Sequence, residues 1–289
     1  MVATIVVGVD GSTSATAAVE WAADDAARRN AALKIVHVRE QWGEGAPFHA
    51  MPGFEDSFTE YCEGVVAAAA ERARERAPGI EVRTALATGA VIETLMGESV
   101  DAEEVVLGSR GMGGFAGLVL GSVGIGMAGH APGPVVVVRA PAQAVYGEVV
   151  VGFDGSPCSE AALEYGFIQA RARGARLRAV YAWQMPAFSP FAVGYSDVMG
   201  DLFKDQAGGF HQRVEPWQRK YPEVQVVGSA VCGHPIPALS DASRDADLIV
   251  VGSRGLRGLG SAVLGSVSHG VLHRAHCPVA VVRPREEEK

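Results

Sequence analysis

Residues 6–12 read VVGVDGS, and residues 150–156 read VVGFDGS. A β-branched run that stops at Asp-Gly-Ser is a strand entering a tight turn and the cap of a helix. The helix follows in the first instance as SATAAVEWAADDAARR, with apolar positions at helical spacing. Three more pairs share the offset of 144 residues that separates Gly108 from Gly252. VLGSRG at Val106–Gly111 returns as VVGSRG at Val250–Gly255, and LGSV at Leu120–Val123 returns as LGSV at Leu264–Val267. VVVVR ending at Arg139 returns as VAVVR ending at Arg283. A constant offset along the whole length means two tandem copies of one domain, since the period is too long for a solenoid. The copies are expected over residues 1–142 and 147–289, joined by the short proline-containing stretch Ala140–Gly147.

Each copy alternates short β-branched runs with longer helical patterns. In the first copy the strands are expected at Thr4–Val9, Leu33–Val38, Ile80–Leu86, Glu104–Gly108 and Val135–Val138. Strand alternating with helix predicts an α/β fold, two tandem doubly wound parallel sheets of Rossmann-like type. Near-continuous Val and Ile runs suit strands buried on both faces. Right-handed crossovers then place ligands beyond the strand C-termini. Strand 1 ends in Asp10-Gly11-Ser12 and Asp154-Gly155-Ser156, and strand 4 in Gly108-Ser109-Arg110-Gly111 and Gly252-Ser253-Arg254-Gly255. The two ends share a crevice if strands 1 and 4 are neighbours.

Composition narrows the function. The 289 residues are 48% hydrophobic, enough for real cores, and carry a formal net charge of −8. An acidic chain lacks the basic face of a nucleic-acid binder. Cys62, Cys158, Cys232 and Cys277 lie far apart without a CxxC pair, which suits free thiols in a reducing cytosol. Residues 1–9 enter a strand-like run without a basic n-region, so no secretion signal is read and a cytoplasmic protein is expected. Met112–Gly129 is uncharged and nearly long enough to span a bilayer. Its counterpart Leu256–His273 contains Arg257, His269 and His273, which removes the membrane reading.

The glycines of that stretch point to phosphate. No Walker A is present, because neither copy supplies its lysine. A literal GxGxxG at Gly124, Gly126 and Gly129 falls inside an expected helix and follows no strand, so it is a decoy. The copies share Gly108-x2-Gly111-x9-Gly121-Ser122 and Gly252-x2-Gly255-x9-Gly265-Ser266. Glycine lets backbone N–H groups approach a ligand, and the first N–H groups of the helix that follows are unpaired and suit an anion. Turn geometry and close packing alone are the competing explanation. Two copies, each beside Arg and Ser at a strand-to-helix junction, favour a nucleotide.

This spacing after the fourth strand, with Asp after the first, resembles the ATP-binding class of universal stress proteins. The likeness covers essentially the whole chain as a tandem two-domain member, and LGSVSHGVLHRAHCPVAVVR at Leu264–Arg283 is especially close to the family pattern. The resemblance implies five-stranded sheets of order 3-2-1-4-5, ATP with its magnesium in each domain, and a regulatory role in stress response or growth. It puts the adenine and ribose contacts at Asp10 and Val38, and at Asp154 and Ala182. The implied phosphate contacts are Gly108, Arg110, Gly111, Gly121, Ser122 and Val123, with Gly252, Arg254, Gly255, Gly265, Ser266 and Val267 in the second copy. Ser268 adds a hydroxyl where the first copy has Gly124. No catalytic residue is assigned. The alternative function is a slow ATPase or an adenylyl-transfer enzyme on the same fold, although neither a Walker lysine nor an HxGH-type motif is present.

Other features have plainer readings. Asp10 and Asp154 also suit helix capping. His269 and His273 have metal-ligand spacing but no third partner, so a solvated helix face is expected and no metal site. Glu63–Arg76 reads as a charged surface helix, and Trp21 and Tyr165 as core. Pro132 is expected to shorten the last helix of the first copy, which should bind more weakly. The stretches Gln41–Glu60 and Gln184–Gly209 read as long loops that cover the site or present a partner surface. The fifth strands, short and apolar, are expected to pair with each other within the chain, and a homodimer is a further expectation.

Overall fold

The computed structural model describes residues 3–40, 53–112, 120–141, 144–183, 212–256 and 264–284. The chain divides into two units, Met1–Gln143 with Arg283–Lys289, and Ala144–Val282. The first contains β1 (Thr4–Gly8), α1 (Thr13–Arg29), β2 (Ala32–Arg39), α2 (Phe54–Arg76), β3 (Val82–Thr88), α3 (Val91–Ser99), β4 (Glu104–Gly108), α4 (Ser122–His130) and β5 (Val135–Val138). Every pairing in its sheet is parallel, and the order is β3-β2-β1-β4-β5. Ile35, Val7, Val106 and Val136 line up across four strands and are fully buried. This row accounts for the β-branched runs of the central strands, which are covered on both faces.

The second unit repeats the plan with β6 (Glu148–Gly152), α5 (Pro157–Arg173), β7 (Arg176–Trp183), a helix over 212–220 (α6), β8 (Val226–Cys232), α7 (Pro235–Ala242), β9 (Leu248–Gly252), α8 (Ser266–Arg274) and β10 (Val279–Val282). Its order is β8-β7-β6-β9-β10, again all parallel. Ala179, Val151, Val250 and Ala280 form the matching buried row. The order 3-2-1-4-5 holds in both units, so the ends of strands 1 and 4 lie side by side.

The helices leaving strand 1 are closed by local chemistry. Ser12 caps α1 by accepting from the Ala15 N–H at 3.1 Å, and Ser156 caps α5 by accepting from the Ser159 N–H at 3.2 Å. Their far ends turn through left-handed residues, Asn30 at φ 52° and Gly174 at φ 60°.

Several boundaries differ from the sequence reading. β3 runs over Val82–Thr88 rather than Ile80–Leu86, and β1 stops at Gly8. Helix α2 begins at Phe54, so residues 54–60 are not loop. Phe54 and Phe58 stack at 5.9 Å between ring centroids, the spacing of one helical turn. Residues 41–52 and the whole of Gln184–Gly209 lie outside the described residues. Pro132 does not shorten α4: both α4 and α8 have nine residues. The proline sits beyond the last helical carbonyl bond, Ala131 N–H to Met127 O at 2.9 Å, whose counterpart is Ala275 N–H to Val271 O at 2.9 Å. Among the described residues the four cysteines are free, and burial pushes the Cys62 thiol up from its ordinary value. No described helix is long and apolar enough to cross a membrane.

Candidate functional site

The crevice of the first unit is built around Asp10, just past the end of β1. Asp10 Oδ1 accepts from the Ser12 N–H at 3.0 Å and fixes the turn. Its other oxygen accepts from the Met112 N–H at 2.8 Å, across from β1 to the turn after β4. The second unit repeats both bonds. Asp154 Oδ1 accepts from Ser156 N–H at 3.0 Å, and Asp154 Oδ2 from Leu256 N–H at 3.1 Å. The expected helix-capping role belongs instead to Ser12 and Ser156, while the aspartates tie the two strand ends together.

That tie gives the turn glycines a specific reason. A Cβ on Gly111 would lie 2.6 Å from Asp10 Oδ2, and one on Gly255 would lie 2.5 Å from Asp154 Oδ2. Gly108 answers to backbone: its Cβ would meet the Ser14 carbonyl carbon at 2.7 Å and the Ala15 nitrogen at 2.8 Å. Gly252 is pressed in the same way against Cys158. The first turn of the helix after strand 1 therefore rests directly on the end of strand 4.

Beyond the turn, the backbone enters the second helix through Gly121 and Gly265. The Gly121 N–H donates to Ser109 O, and the Gly265 N–H to Ser253 O, each at 2.8 Å. Gly121 and Gly265 are the N-caps of α4 and α8, and neither helix has a side-chain cap. Ser122 and Ser266 stand exposed on the first turn, followed by half-buried Val123 and Val267. Such an end offers free N–H groups and the positive pole of a helix to an anion. Arg110 is exposed and Arg254 half-buried, each in the turn itself.

Val38 and Ala182 lie near the ends of β2 and β7, beside the strands that carry the aspartates. His37, which the sequence reading passed over, is buried there, with Nδ1 2.7 Å from Val9 O. Its signal was only its place beside Val38. Ser268 is buried, and its hydroxyl donates to Gly252 O at 2.5 Å, so its proton is committed to the strand end. The decoy glycines lie within α4, as expected, and Gly126 serves packing: its Cβ would meet Ile92 Cδ1 at 2.7 Å. The His269 and His273 rings are 4.6 Å apart, and no group of three His, Cys, Asp or Glu suited to a metal occurs among the described residues.

The mouths of the crevices differ. Over Gly11, at φ 87°, lies Tyr61, whose hydroxyl approaches Met112 Sδ at 3.3 Å. Over Gly155, at φ 80°, lies Arg213, which donates to Gly155 O at 3.0 Å and to Glu160 at 2.9 Å.

The repeated crevices can be set beside known proteins. The model of the Universal stress protein family matches residues 1–139 and again 146–283. The chain belongs to the universal stress protein family. Universal stress protein Rv2005c of Mycobacterium tuberculosis is 37% identical over 291 residues, covering 96% of both chains. Universal stress protein Rv1996 of the same organism is 38% identical over 299 residues, covering 96% of this chain and 94% of its own. The crystal structure of a universal stress protein from Archaeoglobus fulgidus has the same fold, with a TM-score of 0.70 at 20% identity over 99% of this chain and 97% of the other. This universal stress protein thus carries two family domains, and its paired strand ends recur in both.

Proposed function

We propose that this universal stress protein binds ATP, one molecule in each unit, and acts as a nucleotide-dependent regulator of stress response or growth with at most slow hydrolysis. The observation that carries the proposal is the N-terminus of α4 and of α8, each entered through a glycine and without a side-chain cap. A lone helix end would mean little. Here the same glycine turn, the same carboxylate tie and the same open helix end occur twice.

In this reading the N–H groups at Ser122 and Val123, and at Ser266 and Val267, receive phosphate oxygens, assisted by the serine hydroxyls. Gly121 and Gly265 keep a side chain off the entrance to each helix, while Gly108, Gly111, Gly252 and Gly255 let the strand ends pack closely enough to place the phosphates there. Arg110 and Arg254 supply the opposite charge. Val38 and Ala182 give the base a small apolar wall. Asp10 and Asp154 retain lone pairs beyond those used by backbone N–H groups, so they can also accept from ribose hydroxyls. Magnesium, when present, travels with the phosphates and keeps most of its water.

The test is to release bound nucleotide by denaturing purified protein, identify it by mass spectrometry, and titrate the emptied chain with ATP by calorimetry. Two ATP per chain is the expected result. No heat of binding and no released nucleotide would overturn the proposal.

A further inference from the structure

The two glycine turns are not held equally. In the first unit, Arg110 O accepts from the Ser12 hydroxyl at 3.2 Å and also from the Ser14 hydroxyl. Ser14 is buried on the first turn of α1, where its hydroxyl also meets that of Ser12 at 3.2 Å. With the Asp10 bond to Met112 N–H, three side chains fasten this turn. In the second unit the place of Ser14 is taken by Cys158. Its sulfur accepts from Ser253 Oγ at 3.7 Å, and among the described residues no side chain donates to Arg254 O. Ser156 caps α5 as an acceptor, just as Ser12 caps α1, but among the described residues its hydroxyl makes no bond to Arg254 O, and Ser159 turns its hydroxyl back to Ser156 O at 2.9 Å. Among the described residues, the Asp154 bond at 3.1 Å is the remaining side-chain tie to the turn beyond Ser253. Ser268 compensates elsewhere, at Gly252 O, on the strand rather than in the turn.

We propose that Ser14 is a positioning residue that pre-orders the first glycine turn, and that Cys158 leaves the second turn looser, so that the two crevices bind the same nucleotide unequally, the first more tightly. The reason is entropic: a turn already fixed loses less freedom when a ligand arrives. A thiol is a weak donor and does not replace the serine hydroxyl at the turn carbonyl. This reverses the expectation that the first copy is the weaker binder. The difference in affinity rests on the nucleotide reading; the difference in fastening does not.

The experiment uses the full chain with Cys158→Ser and, separately, Ser14→Cys, each a swap between the residues the two copies already use. Hydrogen exchange, read by mass spectrometry on nucleotide-free protein, compares peptides covering residues 106–112 and 250–256. In the parent chain the first should be the better protected. Cys158→Ser should slow exchange in the second, and Ser14→Cys should speed it in the first. A general loss of stability would instead speed exchange in both units. By calorimetry, Cys158→Ser should tighten the weaker ATP site about fivefold, the worth of one net hydrogen bond, and leave the tighter one unchanged. Equal protection of the two peptides in the parent chain, or unchanged exchange in both variants, would overturn the proposal. Shifted exchange with no ATP binding at either crevice would support the fastening and sink the nucleotide reading.

Discussion

At the scale of single residues, Gly108 and Gly111 stand in one turn, yet a methyl group at each would do different harm. At Gly108 it would press on the backbone of Ser14 and Ala15, which cannot move without lifting α1 from the sheet. Gly108→Ala should therefore cost about 2 kcal/mol of stability, in the range for overpacking, seen as a lower thermal midpoint. Gly255, the counterpart of Gly111 in the second unit, meets only the carboxylate of Asp154 among the described residues. Gly255→Asp should leave the fold largely intact and abolish one of two ATP sites. It sets a second carboxylate against the first and faces negative charge toward the phosphates. Unchanged stoichiometry in the Gly255→Asp chain would remove this turn from the site. The need for glycine was legible in the sequence, but half of its reason was not. Spacing alone suggested backbone approach to a ligand. That an aspartate 102 residues away in sequence hydrogen-bonds the residue after Gly111 depends on the sheet order, which no local pattern encodes.

At the scale of elements, the glycines of α4 separate packing from binding. Gly124 faces ordinary contact distances, with Leu120 Cδ1 at 3.4 Å from an added Cβ, whereas Gly126 is pressed onto Ile92 of α3. Alanine is favoured over glycine inside a helix by up to about 1 kcal/mol. Gly124→Ala should thus hold or raise the thermal midpoint and leave ATP binding unchanged. Gly126→Leu should lower stability by about 2 kcal/mol, and Ile92→Ala in the same chain should recover part of the loss. Additive effects of the pair would mean that α3 and α4 do not meet through this glycine. Elements whose signals are local are legible in the sequence: β4 and β5 fall where expected, and a helix follows strand 1 in each unit, although it is capped by Ser12 and Ser156 rather than by the aspartates. The start of α2 was missed because Phe54, Phe58 and Gly53 resemble loop composition. Helix formation there follows from burial of one face, with Cys62, Val66, Ala70 and Ala73 buried at helical spacing, rather than from any strong cap.

At the scale of the whole molecule, duplication places the same candidate chemistry twice in one acidic chain, and its limits can be argued from what touches the turn. Efficient phosphoryl transfer to water needs a group that orients the attacking water and strong electrophiles on the leaving phosphates. Among the described residues, the carboxylate in contact with the turn is Asp10 in one unit and Asp154 in the other. Both oxygens of each accept backbone N–H groups, two from the strand 1 turns and two from the glycine turns. A carboxylate held in this way cannot swing toward an attacking water without breaking a bond that fixes the turn, and its remaining lone pairs are those the ribose hydroxyls would take. Nor does either glycine segment contain a lysine; Gly108–Gly121 carries one arginine, Arg110, and Gly252–Gly265 carries two, Arg254 and Arg257. Steady-state ATP hydrolysis should therefore run far below the typical enzyme turnover of about 10 per second. It should also persist at a similar low level when Asp10 and Asp154 are both changed to Asn, provided the measurement is made at saturating ATP. Turnover near the typical value, lost with one of these carboxylates, would show that the aspartate is released from the backbone during reaction. The chain would then be an enzyme, and the tie a resting state rather than part of a binding site.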